Sequence, residues 1–179
     1  MTQFPVLRGS SLILRQPQWK DAAARLALGR DPEIMRMLGA DPRHLPPLTE
    51  LVVQRWIDAL IAHPNAWAIE HDGRFVGEVR LDALDEHDAR AQLAIGIYDP
   101  ALLGLGLGRQ AIRLVARHAF ERLGLHRIGL RVVAYNARAV RCYLACGFVA
   151  EGREREAALV AGVRHDDIMM GLLAPELQE

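Results

Sequence analysis

Three glycines, Gly104, Gly106 and Gly108, alternate with leucines and constrain the fold more than any other feature of the chain. The apolar residues 93–97 before them are typical of a buried strand, and residues 107–123 after them have the spacing of an amphipathic helix. Glycines let a ligand approach the backbone, and the first turn of a helix presents unpaired N–H groups at the positive end of its dipole. The stretch therefore predicts an anion site, most often a site for phosphate.

The composition suits one globular domain and argues against two classes of function. The 179 residues can bury a substantial core, and no linker or internal repeat divides residues 1–179. Lysine plus arginine number 22, as do aspartate plus glutamate, whereas a general nucleic-acid binder shows a basic excess. No run of about 18 apolar residues indicates a membrane span, and residues 1–5 lack a basic signal-peptide start. We therefore expect a cytoplasmic protein that binds neither nucleic acid nor membrane.

Cysteine and histidine lack the spacing of a metal site. Cys142 and Cys146 lie four residues apart in a predicted helix, where a disulfide rarely forms. We interpret them as small buried side chains in a reducing compartment. The seven histidines are scattered, and His118 and His126 suit packing or helix-end positions. No metal is expected.

The first third of the chain predicts a strand and three helices. Residues 12–15 suit the strand, and residues 19–28 have helical spacing. Asp31 and Thr49 can cap the second and third helices, and the third should reach about His63. The expected core contacts of the third helix are Leu51, Ile57, Leu60 and Ile61.

An antiparallel meander follows, because the apolar period changes from helical to strand-like near residue 65. Asp72 and Gly73 form a hairpin turn signal, and residues 82–90 are expected to be a charged loop. Gly96 indicates a bulge or a closely approaching ligand. The three predicted strands are residues 66–70, 75–81 and 91–97.

The second half predicts a strand–helix–strand unit and a closing hairpin. A strand at residues 127–133 follows the helix at 107–123, which favours a parallel crossover. Asn136 can cap a helix at residues 137–146. Residues 148–156 and 163–172 suit an antiparallel pair. The chain is therefore expected to be one α+β domain with a mixed sheet.

Two nucleotide-binding loops do not fit the glycine stretch. The dinucleotide fingerprint needs its third glycine one residue later than Gly108 and lies early in a βαβ unit, whereas a meander precedes this stretch. A nucleoside-triphosphate loop ends in Gly-Lys-Ser/Thr, but here Arg109 and Gln110 follow the glycine. A glycine-rich turn without a ligand stays open as an alternative.

Two motifs in order resemble the GNAT superfamily of CoA-dependent N-acetyltransferases. That family has Gln/Arg-x-x-Gly-x-Gly/Ala at this place, and residues 103–108 match it except that Leu103 replaces the polar first residue. Residues 136–148 match the second motif, Asn-x-x-Ala/Ser-x-x-x-Tyr-x-x-x-Gly-Phe. Residues 151–153 and 165–167, the latter expected just before the last strand, suit the RimJ/RimL-like branch, which acetylates ribosomal-protein N-termini. The resemblance covers nearly the whole chain.

The resemblance implies a fold and a co-substrate. The sheet should be mixed and mostly antiparallel, with a central parallel pair that splays and is flanked by helices. Acetyl-CoA should lie in this gap, and its pantetheine arm should meet the backbone of the strand and the side chain of Asn136. The N–H groups after residue 104, with the charge of Arg109, should hold the pyrophosphate. The cofactor contacts so implied are Ile95, Gly96, Ile97, Leu105, Gly106, Leu107, Gly108, Arg109 and Asn136.

Acyl transfer to an amine needs a polarised carbonyl, a free-base amine and a protonated leaving thiolate. Tyr143 is the candidate general acid, since a phenol with a pKa of about 10 keeps its proton at neutral pH. The alternative is that it only packs beside the cofactor, as Asn136 could serve only as a cap. Glu78 and Asp82 are candidate bases through water, although the favoured interpretation of each is an ordinary surface carboxylate. Arg131 stands where some relatives carry a catalytic glutamate.

The sequence therefore favours an N-acetyltransferase that moves acetyl from acetyl-CoA to a primary amine by direct attack in a ternary complex. The acceptor could be a protein N-terminus, a polyamine or an amine-bearing antibiotic, and the balanced charge favours a peptide or a neutral small molecule. Two alternatives remain, namely a CoA-binding regulatory protein without transferase activity and a transferase of another acyl group such as succinyl. The closing strands could support a homodimer.

Overall fold

The computed structural model describes residues 4–41 and 43–177, which form one eight-stranded sheet flanked by five α-helices. No helix in these residues has the length and apolar character needed to cross a membrane. The strands are β1 (Leu7–Arg8), β2 (Ile13–Arg15), β3 (Ala66–His71), β4 (Arg74–Asp85), β5 (Arg90–Ile97), β6 (Arg127–Val133), β7 (Val149–Val160) and β8 (Val163–Leu173). The helices are α1 (Asp21–Leu28), α2 (Pro32–Met37), α3 (Glu50–Ala62), α4 (Leu107–Glu121) and α5 (Ala137–Leu144).

Local signals place most helix starts and tight turns correctly. The side chains of Asp31 and Thr49 accept hydrogen bonds from backbone N–H groups at the starts of α2 and α3, as predicted. Asp72 and Gly73 both have positive φ and form the predicted hairpin turn between β3 and β4. These features depend only on neighbouring residues, which explains why they are visible in the sequence.

The sheet is mixed, with the strand order β1-β2-β3-β4-β5-β6-β8-β7. Only the central pair, β5 and β6, is parallel, and α4 connects these two strands. All other neighbours are antiparallel. The predicted mixed sheet with a central parallel pair is therefore confirmed.

Helices cover both faces of the sheet, and alternate side chains of one strand pack against opposite helical layers. Trp67 and Ile69 of β3 belong to the same buried cluster as Ala111 and Val115 of α4. Ala68, the residue between them, packs on the other face with residues of α1, α2 and α3. The apolar stripe predicted for α4 is therefore the stripe that faces the sheet.

The structure corrects four details of the sequence-based interpretation. Strand β4 runs to Asp85, so Asp82 lies within a strand, paired with Gln92, rather than in a charged loop. Leu51 is 60% exposed and is not a core contact of α3. The β4–β5 ladder is regular at Gly96, so no bulge lies there. Residues 165–167 lie inside β8, not before it.

Strand β4 is longer than predicted because its apolar side chains continue on one face while its charged side chains continue on the other. Leu81 is fully buried against the α4 side of the sheet, while Arg80 and Asp82 point to the other side. These two charged side chains bond to each other, with Arg80 Nε 2.9 Å from Asp82 Oδ1. Charge therefore continues along one face of a strand instead of marking a loop.

Candidate active site

The central parallel pair separates after three residue pairs and opens a cleft. Arg90, Ala91 and Gln92 of β5 pair with residues 127–129 of β6, and no pairing follows. Beyond this point a cavity of about 1020 Å³ lies between the strands, lined by residues 93–98 of β5 and its end and by residues 131–133 of β6. The predicted splay is therefore confirmed, and the edge of β5 that faces β6 is open to the cavity over Ile95, Gly96 and Ile97.

The glycine stretch forms one end of this cavity. Gly104 and Gly106 have φ of 82° and 83°, and a Cβ on either would meet no atom within 4 Å. The first hydrogen bond of α4 runs from the Gln110 N–H to the Gly106 carbonyl at 3.0 Å. The N–H groups of Leu107, Gly108 and Arg109 therefore have no partner within the helix. Such a turn can bind an anion through its backbone.

Five arginines line the cavity, and three of them belong to α4 and α5. Arg109 was expected from the sequence, whereas Arg138 and Arg141 of α5 were not, although all three line the cavity. Their separation by three residues places Arg138 and Arg141 on one face of α5, which is the signal that could have found them. Leu103 also lines the cavity, and Leu105 is 63% exposed and does not.

Tyr143 of α5 lines the cavity and packs against Phe148, with 5.8 Å between ring centroids. Its hydroxyl makes no hydrogen bond within the residues that the structure describes. Burial, together with the nearby cysteine sulfurs, raises the pKa of Tyr143 above its ordinary value. The phenol therefore stays protonated at neutral pH and can donate its proton into the cleft. Cys142 and Cys146 are both free, and only Cys146 is fully buried.

Asn136 uses both ends of its amide to join two elements. Its Oδ1 accepts a hydrogen bond from the Ala139 N–H at 3.0 Å, which confirms the predicted cap of α5. Its Nδ2 donates to the Met37 carbonyl at 2.9 Å, at the end of α2. The Tyr135 hydroxyl donates to the neighbouring carbonyl of Arg36. These bonds hold α2 over the cavity, and a contact of Asn136 with pantetheine stays a prediction.

Glu78 is a buried cleft residue rather than a surface carboxylate. It is 5% exposed, lines the cavity and stands opposite Gly96 in the β4–β5 ladder. Its Oε1 accepts a hydrogen bond from Arg80 Nη1 at 2.6 Å, and its buried Oε2 has no partner among the described residues. Burial raises the pKa of Glu78, and Arg80 partly opposes this shift. A carboxylate of this kind can accept a proton from an ammonium group.

Asp82, the other candidate base, is held outside the cavity. Its carboxylate contacts Arg80 Nε at 2.9 Å and His63 Nε2 at 3.2 Å, and it is not among the residues that line the cleft. The expectation that it acts as the base is therefore not supported by its position.

Gly96 makes room for an aromatic side chain that the sequence-based interpretation missed. A Cβ on Gly96 would lie 3.2 Å from the ring and hydroxyl atoms of Tyr98. Tyr98 is buried, lines the cavity and carries the Arg25 guanidinium 4.0 Å from its ring centroid. Burial, with Glu78 nearby, raises the pKa of Tyr98. The glycine therefore permits close packing of this phenol beside Glu78.

Asp167 of β8 is a second buried carboxylate that the sequence-based interpretation did not select. It lines the cavity and stands opposite Val133 of β6. Its Oδ2 lies 3.5 Å from Arg131 Nε, and its buried Oδ1 has no partner within residues 4–41 and 43–177. The same stretch contains no group of three or more histidine, cysteine or acidic residues that could hold a metal ion.

Comparison with known proteins identifies a family profile and relatives. The profile described as "Acetyltransferase (GNAT) domain" matches residues 11–149. The SPbeta prophage-derived uncharacterized N-acetyltransferase YokL of Bacillus subtilis is 24% identical over 172 residues, which cover 95% of this chain and 94% of that protein. The spermidine N(1)-acetyltransferase of Vibrio cholerae is 34% identical over 93 residues, about half of each chain at 52% and 53%.

A solved structure shows the same fold over nearly the whole chain. The spermidine N-acetyltransferase from Vibrio cholerae, crystallised with CoA and spermine, superposes with a TM-score of 0.80 at 26% identity. The superposition covers 94% of this chain and 98% of that one. The architecture, the cavity and the family profile therefore agree.

Proposed function

Because this chain belongs to the GNAT acetyltransferase family, we propose that it transfers an acetyl group from acetyl-CoA to a primary amine by direct attack in a ternary complex. The observation that carries the proposal is the continuity of one cavity. The same cleft is lined by the anion-binding turn at Gly106, by the phenol of Tyr143 and by the carboxylate of Glu78. A thioester with a phosphorylated handle and an amine can therefore meet in it.

The residues present fit the two chemically distinct parts of acetyl-CoA. Free N–H groups of Leu107, Gly108 and Arg109 suit a pyrophosphate, and Arg138 and Arg141 supply charge for further phosphate. The open edge of β5 suits an extended amide chain, because unpaired strand N–H and C=O groups accept an added strand. Leu103 contributes no polar group at the first motif position, so the backbone carries most of the phosphate binding.

Two side chains supply the proton transfers. Glu78, through Oε2 or through one water, removes a proton from the acceptor ammonium, so that the nitrogen lone pair is free to attack the thioester carbon. A C–N bond forms and the C–S bond breaks. Tyr143, which burial keeps protonated, donates its proton to sulfur as negative charge develops there.

The acceptor in this proposal is a small or peptidic primary amine. The relative from Vibrio cholerae is named for spermidine, which supports a small-molecule amine. The ribosomal-protein branch, the homodimer and the cytoplasmic location expected from the sequence stay predictions.

Release of the CoA thiol over a panel of primary amines tests this function, with acetyl-CoA and succinyl-CoA as donors. Turnover with acetyl-CoA is expected, and Tyr143→Phe should lower kcat by about 10²-fold or more while calorimetry shows unchanged acetyl-CoA binding. Tight binding without turnover on any amine would instead support the CoA-binding regulatory protein. Faster turnover with succinyl-CoA would support the other acyl group.

A further inference from the structure

The cavity wall opposite Glu78 contains the second buried carboxylate, Asp167. Its side chain is 3% exposed and lines the cleft. Oδ1 has no hydrogen-bond partner among the described residues, and Oδ2 reaches only Arg131 Nε at 3.5 Å. The register of β8 fixes this position, because Asp167 stands opposite Val133 at the open end of β6.

Arg131 compensates this buried charge weakly. Its side chain is 64% exposed, so solvent screens the ion pair, and the guanidinium is free to turn outward. A buried carboxylate oxygen without a partner is unfavourable unless a cation or a hydrogen-bond donor reaches it. Asp167 lines the cavity in which the acceptor is proposed to bind, and its Oδ1 is shielded from solvent without a partner among the described residues, so a cation entering this part of the cleft would compensate it.

Glu78 and Asp167 lie on opposite flanks of the splayed pair. Glu78 belongs to β4 and Asp167 to β8, with β5 and β6 between them in the sheet. Neighbouring strands lie about 4.8 Å apart, so three intervals place the backbones of β4 and β8 roughly 14 Å apart. The splay between β5 and β6 increases this distance. One ammonium group cannot neutralise both side chains at that separation, so the two carboxylates suit two different cationic groups.

We propose, building on the proposed acetyl transfer, that Asp167 binds a second cationic group of the acceptor and makes this enzyme selective for diamines over monoamines. The reacting amine meets Glu78 beside Gly96, and the distal ammonium displaces Arg131 and pairs with Asp167. This assignment departs from the neutral acceptor that the overall charge balance favours. Net charge averages over the whole surface, whereas the carboxylates that matter here are buried in one cleft.

Matched pairs of linear amines test the proposal. Propylamine is compared with 1,3-diaminopropane and hexylamine with 1,6-diaminohexane, using the unaltered protein and Asp167→Asn. The unaltered protein should prefer at least one diamine to its monoamine. Asp167→Asn should raise the KM for that diamine roughly ten- to a hundredfold, the range expected for losing a hydrogen bond to a charged group. Its kcat and the KM for the monoamine should change little.

The control variant is Glu154→Gln. Glu154 of β7 stands opposite Asp167 in the β7–β8 ladder. It is exposed and does not line the cavity. This variant should leave the KM for the monoamine and the KM for the diamine unchanged. Because Asp167→Asn removes an uncompensated buried charge, its Tm should stay the same or rise. Arg131→Ala should leave the diamine KM unchanged or lower it.

Three results would overturn the assignment. The first is equal loss of activity on monoamine and diamine in Asp167→Asn with a lowered Tm, which is the behaviour of a purely structural ion pair. The second is an unaltered protein that does not discriminate within either amine pair. The third concerns a protein that acetylates no amine at all, a result that refutes the proposed acetyl transfer. In that case, calorimetry of 1,3-diaminopropane and 1,6-diaminohexane with CoA present tests Asp167 alone. Equal affinity of the unaltered protein and of Asp167→Asn for both diamines would refute the role of Asp167.

Discussion

Arg80 Nη1 donates a 2.6 Å hydrogen bond to Glu78 Oε1, while the second oxygen of this buried carboxylate has no partner among the described residues. Arg80 thus neutralises one oxygen, while the other is buried beside the Tyr98 phenol. Asp82, on the far side of Arg80, holds the guanidinium in place. This arrangement positions a single proton acceptor beside Gly96.

The pH dependence of kcat/KM should therefore report Glu78. Burial raises its pKa, and Tyr98 and the positive charges of Arg80 and Arg25 oppose the shift. Activity should rise with pH as the carboxylate ionises, with an inflection above the ordinary glutamate range. Arg80→Gln removes a charge that favours the ionised form, so the inflection should move to higher pH. Asp82→Asn removes a charge that disfavours it, so this control should move the inflection to lower pH or leave it unchanged.

Glu78→Gln completes this test. It should remove the acid limb of the pH profile and lower kcat by about 10²-fold or more. An acid limb that persists in Glu78→Gln would show that another group is the base.

If the glycine turn before α4 holds the phosphates, as proposed, substitution should weaken acetyl-CoA binding far more at Gly106 than at Leu103. Gly106 has φ of 83°, where a β-branched residue is strained, and its neighbours present the free N–H groups. Gly106→Val should raise the KM for acetyl-CoA by on the order of tenfold, the effect of losing one hydrogen bond to a charged group, whereas Leu103→Ala should change it little.

Folding must be separated from binding in that comparison. Gly106→Asn keeps access to the left-handed conformation and serves as the tolerated substitution. Its KM should lie between those of the other two variants, with a Tm close to that of the unaltered protein. Equal effects of Gly106→Val and Leu103→Ala would mean that this turn does not hold the phosphates.

The hydrogen bonds of Asn136 should contribute measurably to stability. Asn136→Ala removes both the cap of α5 and the bond to the Met37 carbonyl, and should lower the free energy of unfolding by about 1–2 kcal/mol. Asn136→Ser retains a capping oxygen and loses only the bond to α2, so it should recover part of that loss. Urea unfolding monitored by circular dichroism measures both.

The same pair of variants tests the predicted contact of Asn136 with pantetheine. If the side chain serves only α5 and α2, the KM for acetyl-CoA should stay close to that of the unaltered protein, because a folded enzyme that is about 1–2 kcal/mol less stable still binds its substrate normally. A KM for acetyl-CoA that rises in both Asn136→Ala and Asn136→Ser would instead support a direct contact.

Several parts of the site could be predicted because they depend on short stretches of chain. The glycines before α4, the cap at Asn136 and Tyr143 lie within two motifs, and the crossover from β5 to β6 follows from one intervening helix. Arg138 and Arg141 could have been predicted from their spacing on α5. The splay of the parallel pair was expected from the family resemblance, and the ladder that ends at Gln92 confirms it.

On the other side of the cleft, the sequence offered Glu78 only as one of two candidates and did not indicate that Asp167 or α2 would lie there. Glu78, Asp167 and α2 come from distant parts of the chain, and Asn136 bonds to Met37 across 99 residues. Whether a carboxylate is buried or exposed depends on what packs above it, and a single strand pattern does not contain that information. Glu78 and Asp82 lie on the same face of β4, yet of the two only Glu78 lines the cavity.

By itself, the sequence determined the elements, the glycine turn before α4 and the family, because capping, apolar period and glycine conformation act between near neighbours. Only the tertiary structure decided which acidic groups face the cleft and which are neutralised by arginines. Burial and long-range pairing set the free energy of a charge, and both arise when β4, β8 and α2 meet around the splayed strands.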